Sequence, residues 1–286
     1  MIATSQIDSG EIAALASGKT DKDENFPVAS MLIRADLRAP IMAFYRFARA
    51  ADDIADNAQV PADVQLALLA RMRAGLDGGD PESGVSESLA SAMAARHIDP
   101  VHAHELLDAF VRDVTKTRTD DWDDLIAYCR LSAMPVGRYV LDVHGESRDL
   151  WPASDALCAA LQIINHLQDC ADDYRDLDRV YIPLDTGLEL SDLRAARASP
   201  ALRAIIVGLA RRTRGLLDQS AGFAARIRDR RLAAEVAVIQ RLAVDLCGKL
   251  EQRDPLSERV HHRKGEAARL ALRAALPVLL RLRSPR

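Results

Sequence analysis

Apolar residues recur at the three- and four-residue spacing of a helix along almost the whole chain. That pattern narrows the fold more than any other feature. It holds over residues 39–56, 62–76, 100–115, 122–144, 154–176, 200–228, 231–251 and 265–282. Ala, Leu and Arg dominate these stretches and favour helix. No run alternates polar and apolar residues long enough to make a strand. Breaks fall at Pro61, 75–84, Pro100, 145–152, 183–187, Pro200 and Pro255, and none is a long linker. With 286 residues, 49% of them hydrophobic, one large core is within reach. The expectation is a single all-α domain over 21–286, after a frayed stretch at 1–20.

Two rows of acids interrupt this helical pattern. The first is Asp52-Asp53-Ile54-Ala55-Asp56, after Tyr45-Arg46-Phe47-Ala48-Arg49-Ala50-Ala51. The second is Asn165, Asp169, Asp172, Asp173 and Asp176, within an apolar stretch. Residues four apart share a helix face, so Asp52 and Asp56 form one row and Asn165, Asp169 and Asp173 another. Like charges so placed repel. With 42 acidic residues in the chain, such pairs also arise by chance on solvated faces. The second row, however, adjoins Ile163, Ile164 and Leu167, where bare carboxylates are costly. Stacked oxygen ligands suit a hard cation such as Mg²⁺, with substrate phosphate completing its shell.

Tyr45, Arg49 and Asp52 fall on one helix face, and Arg179 and Tyr181 close the second row. A guanidinium fork suits phosphate oxygens. The alternative is that Arg49 and Arg179 pair with nearby aspartates. A net charge of −4 gives no reason to expect nucleic-acid binding. Cys129, Cys158, Cys170 and Cys247 read as reduced core residues. Residues 1–9 are polar, and no apolar run spans a bilayer, which points to the cytoplasm. His97, His102 and His104 lack the spacing of a zinc site. The tail 270–286 mixes Leu with Arg269, Arg273, Arg281, Arg283 and Arg286 in and beside it. It suits peripheral contact with an anionic membrane, or a last packing helix with an Arg-rich outer face.

At four ordered segments the chain resembles the squalene/phytoene synthase family. They are Glu24-Asn25-Phe26-Pro27-Val28-Ala29-Ser30, the first acidic segment from Tyr45 to Asp56, Tyr128-Cys129-Arg130-Leu131-Ser132-Ala133-Met134-Pro135-Val136-Gly137-Arg138, and Asn165-His166-Leu167-Gln168-Asp169-Cys170-Ala171-Asp172-Asp173-Tyr174-Arg175. Within the family it looks most like the bacterial branch that forms hydroxysqualene in the hopanoid pathway. The resemblance implies a terpene-synthase-like helical bundle around a central apolar cavity. It implies Mg²⁺ held on a substrate diphosphate by Asp52, Asp53, Asp56, Asn165, Asp169 and Asp173. It places Tyr45, Arg49, Tyr128, Arg179 and Tyr181 among the catalytic groups. It places Asn25, Phe26, Pro135, Gly137 and Gln168 against the substrate.

Three departures stand out. Gln168 occupies a position where many relatives carry Arg, Asn25-Phe26 replaces Ser-Phe, and no tyrosine follows Tyr181. They fit a branch that processes an already joined intermediate. The implied reaction is ionisation of presqualene diphosphate, rearrangement and capture of water. Head-to-head condensation of two prenyl diphosphates such as farnesyl diphosphate is the alternative, and a non-catalytic assembly factor of the same fold is a second. Partner enzymes of the hopanoid pathway are a further expected association. Inside a helix, Pro135 would remove a backbone hydrogen bond and bend the chain. The freed carbonyl would then face the cation, or the kink would serve packing alone.

Overall fold

The computed structural model describes residues 33–79 and 84–280. Asn25, Phe26, the rest of 24–30, the stretch 1–20 and the last residues of the tail lie outside them. Among the described residues the fold is all helix. The helices are α1 (Ala35–Ala55), α2 (Ala62–Leu76), α3 (Gly84–Ala94), α4 (Val101–Thr115), α5 (Trp122–Ser132), α6 (Met134–Val143), α7 (Trp151–Leu177), α8 (Pro200–Gln219), α9 (Phe223–Arg226), α10 (Arg230–Gln252) and α11 (Lys264–Leu280). No strand forms among these residues. An isolated parallel bridge pairs Arg118, after α4, with Val180, after α7.

Local chemistry sets many of the boundaries. Asp121, Ser199 and Asp229 accept backbone N–H bonds as N-caps of α5, α8 and α10. Pro40 lies inside α1 and cannot donate to the carbonyl of Asp36. Arg96 Nη2 takes over that carbonyl at 2.7 Å, so α1 begins at Ala35, four residues before the apolar period that announces it. The stretch 122–144, expected as one helix, divides at Ala133, whose φ of −123° leaves the helical range. Pro135 therefore sits in the first turn of α6, where a missing N–H costs nothing. It starts a helix and does not kink one from within. The stretch 200–228 likewise divides near Ser220, whose hydroxyl bonds the Leu217 carbonyl and Gln240. Helix α3 has no counterpart in the sequence expectation. Its buried stripe is only Ser86, Leu89 and Met93, too narrow to register as a period.

Two apolar clusters meet at α6. One joins α1 to α4 with Tyr139 and Val143 of α6, and includes Phe44 stacked on Tyr139 at 4.2 Å. The other joins α5 to α10. Helix α11 packs on α10 through Leu270 against Val238 and Leu242. Its outer face carries Leu272, Leu276 and Leu280 beside Arg269 and Arg273, all exposed. No helix among the described residues is long and apolar enough to cross a membrane. The four cysteines are free, and three are buried; Cys158 lies half-buried on a cavity wall.

Candidate active site

A cavity of about 560 Å³ opens between α1, α4, α5, α6, α7 and α10. Helix α1 gives it Tyr45, Ala48, Arg49, Asp52 and Asp56, the single face that three- and four-residue steps generate. Helix α7 gives it a stripe that includes Leu157, Leu161, Asn165, Asp169 and Asp173. The two acidic rows read from the sequence thus face one space. Asp53 does not line it. A further step of about 100° turns it off the face, and its Oδ1 accepts from Arg49 Nη2 at 2.8 Å. Asp172 and Asp176 are exposed and pair with Arg175.

The α1 row lies in the last turn of its helix, and Asp173 lies about one turn from the end of α7. Helix C-termini carry partial negative charge, so acids there are doubly unfavourable and cations are favoured. Burial and then the nearby Asp56 push the Asp52 carboxyl up to about 7, although Arg49 opposes the shift. Arg49 donates to Asp52 Oδ2 at 2.5 Å as well as to Asp53. Arg179 is buried and more fully committed. It donates to Asp56, to the Ala55 carbonyl at 2.7 Å and to the Asp113 carbonyl at 3.2 Å. It therefore ties the end of α7 to the end of α1 and holds both acidic rows at one mouth. Both arginines pair with aspartates here. These ion pairs shape the mouth.

Arg179 and Tyr181 share an orientation because they flank Val180, the residue in the bridge. Val180 exchanges backbone bonds with Thr117 and Thr119 at 2.9 and 3.0 Å. In extended backbone, residues two apart point the same way, here beneath α4. There they meet Asp113, which the sequence expectations passed over. Tyr128 donates to Asp113 Oδ2 at 2.8 Å and Tyr181 to Oδ1 at 2.9 Å. Burial raises the Asp113 pKa despite Arg179 and the two phenols, and burial followed by Asp113 pushes both phenols well above their usual value. Both hydroxyls are thereby fixed as donors to the aspartate. His166 stacks on Tyr181 at 3.6 Å and bonds Gln162 at 3.0 Å, so it faces the cavity too. Asp113 sits in an unremarkable stretch of α4, and only its spacing from Phe110 and Leu106 marks the cavity face.

Gln168 lies off the main cavity. It is buried, and its Nε2 donates to the Val260 carbonyl past the end of α10. One position before Asp169, it turns off the cavity face of α7 and ties that helix to the loop after α10. Pro135 is buried and is not among the lining residues, whereas Ser132, Val136 and Gly137 are. At Gly137 the chain passes very close to α7. A Cβ there would come within 2.5 Å of Ser154 Oγ and 2.6 Å of Cys158 Sγ. Gly137→Ala is expected to cost about 1–3 kcal/mol by overpacking and to narrow the cavity. Thermal denaturation measures the first effect and the KM for substrate the second.

The oxygen donors at the mouth fit Mg²⁺ by type. Among the described residues no three His, Cys, Asp or Glu groups gather into a complete metal site. Such a mouth needs phosphate oxygens to finish the shell, as magnesium sites built on one or two carboxylates do.

The squalene/phytoene synthase family model matches residues 19–266. The chain belongs to this family. It is 52% identical to a hydroxysqualene synthase of Zymomonas mobilis over 92% of the chain and 91% of that protein. It is 53% identical to a hydroxysqualene synthase of Rhodopseudomonas palustris over 86% of each. Among solved structures, squalene synthase HpnC from Alicyclobacillus acidocaldarius superposes with a TM-score of 0.68 at 29% identity, over 84% of this chain and 92% of that one. A dehydrosqualene synthase superposes with a TM-score of 0.76 over 94% of this chain and 97% of its own, and at 19% identity it shows the shared fold. The protein is an enzyme of the squalene/phytoene synthase type, and a prenyl diphosphate is the substrate class of that family.

Proposed function

We propose that this enzyme ionises presqualene diphosphate, lets the cation rearrange and then be captured by water, and so gives hydroxysqualene and diphosphate. The observation that carries the reading is the pair of acidic rows at the mouth of an otherwise apolar cavity, in a chain about half identical to two hydroxysqualene synthases. Asp52, Asp56, Asn165, Asp169 and Asp173 would hold Mg²⁺ at the diphosphate end of the cavity. When bound, Mg²⁺ supplies positive charge where the leaving group becomes negative. Arg179 and Arg49 keep the aspartates in position. Phe44, Leu106, Phe110, Leu157, Leu161 and Ile239 form the hydrocarbon wall that keeps the cation from bulk water. Tyr128 and Tyr181, fixed by Asp113, line the cavity beside this wall.

The test is incubation of the purified protein with Mg²⁺ and presqualene diphosphate, without a nicotinamide cofactor. Hydroxysqualene is the expected product, and farnesyl diphosphate alone should yield none. Presqualene diphosphate or a hydrocarbon made from farnesyl diphosphate alone would overturn the reading in favour of condensation.

A further inference from the structure

Helix α11 turns its larger side chains outward. Its main support is α10, along which it runs antiparallel. Lys249 Nζ meets Glu266 Oε1 at 2.8 Å near the start of α11, and Leu270 packs further back along α10, on Val238 and Leu242. The residues around Leu270 on this inner face are small, namely Ala267, Ala271, Ala274 and Ala275. Leu272, Leu276, Leu279 and Leu280 face away and are between 39 and 66% exposed. Elsewhere among the described residues, large exposed apolar side chains occur singly, at Val101, Val136 and Leu184. Steps of three and four residues make the four leucines one stripe, on a helix about 25 Å long. Arg269 and Arg273 lie along one edge of the stripe and Lys264 near the other, all exposed. Glu266, paired with Lys249, is the last acid in the sequence. From Ala267 to Arg286 the sequence has Arg269, Arg273, Arg281, Arg283 and Arg286 and no acid, although the net charge of the chain is −4.

A helix that only packs on its neighbour puts its apolar residues inward and polar ones outward. Here alanines pack and leucines meet the solvent, so the outer face is built for something other than water. A second copy of the chain would set the same patch against itself, arginine facing arginine. An anionic bilayer surface satisfies both kinds of residue. Leucine side chains enter the boundary of the acyl chains, while guanidinium and ammonium groups reach the lipid phosphates. We propose that α11 docks in the plane of an anionic phospholipid membrane, with the leucine stripe in the acyl boundary and Arg269, Arg273 and Lys264 on the headgroups. The helix lies on the bilayer and does not cross it, as its length and its arginines require. On its inner side, Val278 packs against the core cluster that contains Leu232 and Val236 of the cavity wall. The docked helix thus backs onto the apolar part of the enzyme. The surface lies outside the cavity, and the proposal holds whichever reaction the cavity performs.

The experiment sediments the full chain with vesicles of mixed phosphatidylglycerol and phosphatidylcholine, and with vesicles of phosphatidylcholine alone, at low and at high salt. It compares wild type, the double variant Leu272→Ser with Leu276→Ser, and the double variant Arg269→Gln with Arg273→Gln. Wild type is expected to bind the anionic vesicles, and to bind less in high salt and on neutral lipid. The leucine pair should lower the partition coefficient by roughly 30- to 100-fold, since each leucine forgoes burial of about half its surface. The arginine pair should lower it by roughly 20-fold, at about fivefold for each charge. Both variants should keep the melting temperature of wild type, because these side chains face away from the core. Leu280→Ser, at the most exposed of the four positions, repeats the test with a single change if the leucine pair does not fold. Failure of wild type to bind anionic vesicles overturns the inference, and so does binding that neither pair weakens. A wild-type dimer that the leucine pair converts to a monomer, without vesicle binding, gives the face to a second copy and overturns it as well. Turnover is not the readout, so failure of the water-capture reading would leave this result standing, and the reverse also holds.

Discussion

Asp169→Asn is expected to lower kcat by roughly 100- to 1,000-fold, the scale on which removal of one preorganised electrostatic group acts. The substitution keeps shape and removes one unit of charge from the row that α7 presents to the cavity. Asp52→Asn should act similarly, because Asp52 faces the same space from α1. Circular dichroism should show both variants folded, since each substitution keeps the shape and relieves repulsion between like charges on one helix face. The loss should appear in kcat with presqualene diphosphate, and excess chelator should abolish activity of the wild type. Full turnover in chelator, or Asp169→Asn with unchanged kcat, would remove the diphosphate clamp from the account.

Asp113→Ala is expected to destabilise the fold by about 3 kcal/mol. The estimate comes from two buried hydroxyls left without an acceptor at about 1–3 kcal/mol each. Tyr128 and Tyr181 both donate to this carboxyl, and no second acceptor for either phenol approaches as closely. The loss would also strip Arg179 of its main electrostatic support, since burial works against its charge and Asp113 is the first group to offset it. For a chain of this size the melting temperature should fall by about 6–12 °C. Tyr128→Phe and Tyr181→Phe should each cost only about 1 kcal/mol, because no orphan hydroxyl remains. The contrast separates a carboxyl that organises two phenols from one that merely fills space. A melting temperature within a degree or two of wild type for Asp113→Ala would refute it.

Much of the architecture was legible because long amphipathic helices advertise their period. The ends of α2, α4, α7 and α10 fall within three residues of the stretches marked by that period. Helix α3 was invisible because three buried residues, one of them a serine, carry too little contrast. The break at Ala133 was missed because a proline excludes its neighbours from helix without saying whether a helix bends or restarts. At the site, the rows on α1 and α7 could be read because i and i+4 is a local relation. Asp53, which the resemblance groups with Asp52 and Asp56, turns off their shared face and pairs with Arg49.

The sequence by itself determined the helical class, the family and the two acidic rows, since each depends on spacing within about a dozen residues. Tertiary structure alone decided what those groups face. It turned Arg49 and Arg179 inward onto aspartates, carried Gln168 away from the cavity, and brought Asp113 from α4 under phenols 15 and 68 residues further on. It also set Glu235 among the groups that line the cavity, where the period of α10 marks only one more buried position. The physical reason is common to all of these. Whether a buried polar group is a strut, a ligand or a base depends on which partners the packing of distant helices delivers to it, and no local pattern encodes that delivery.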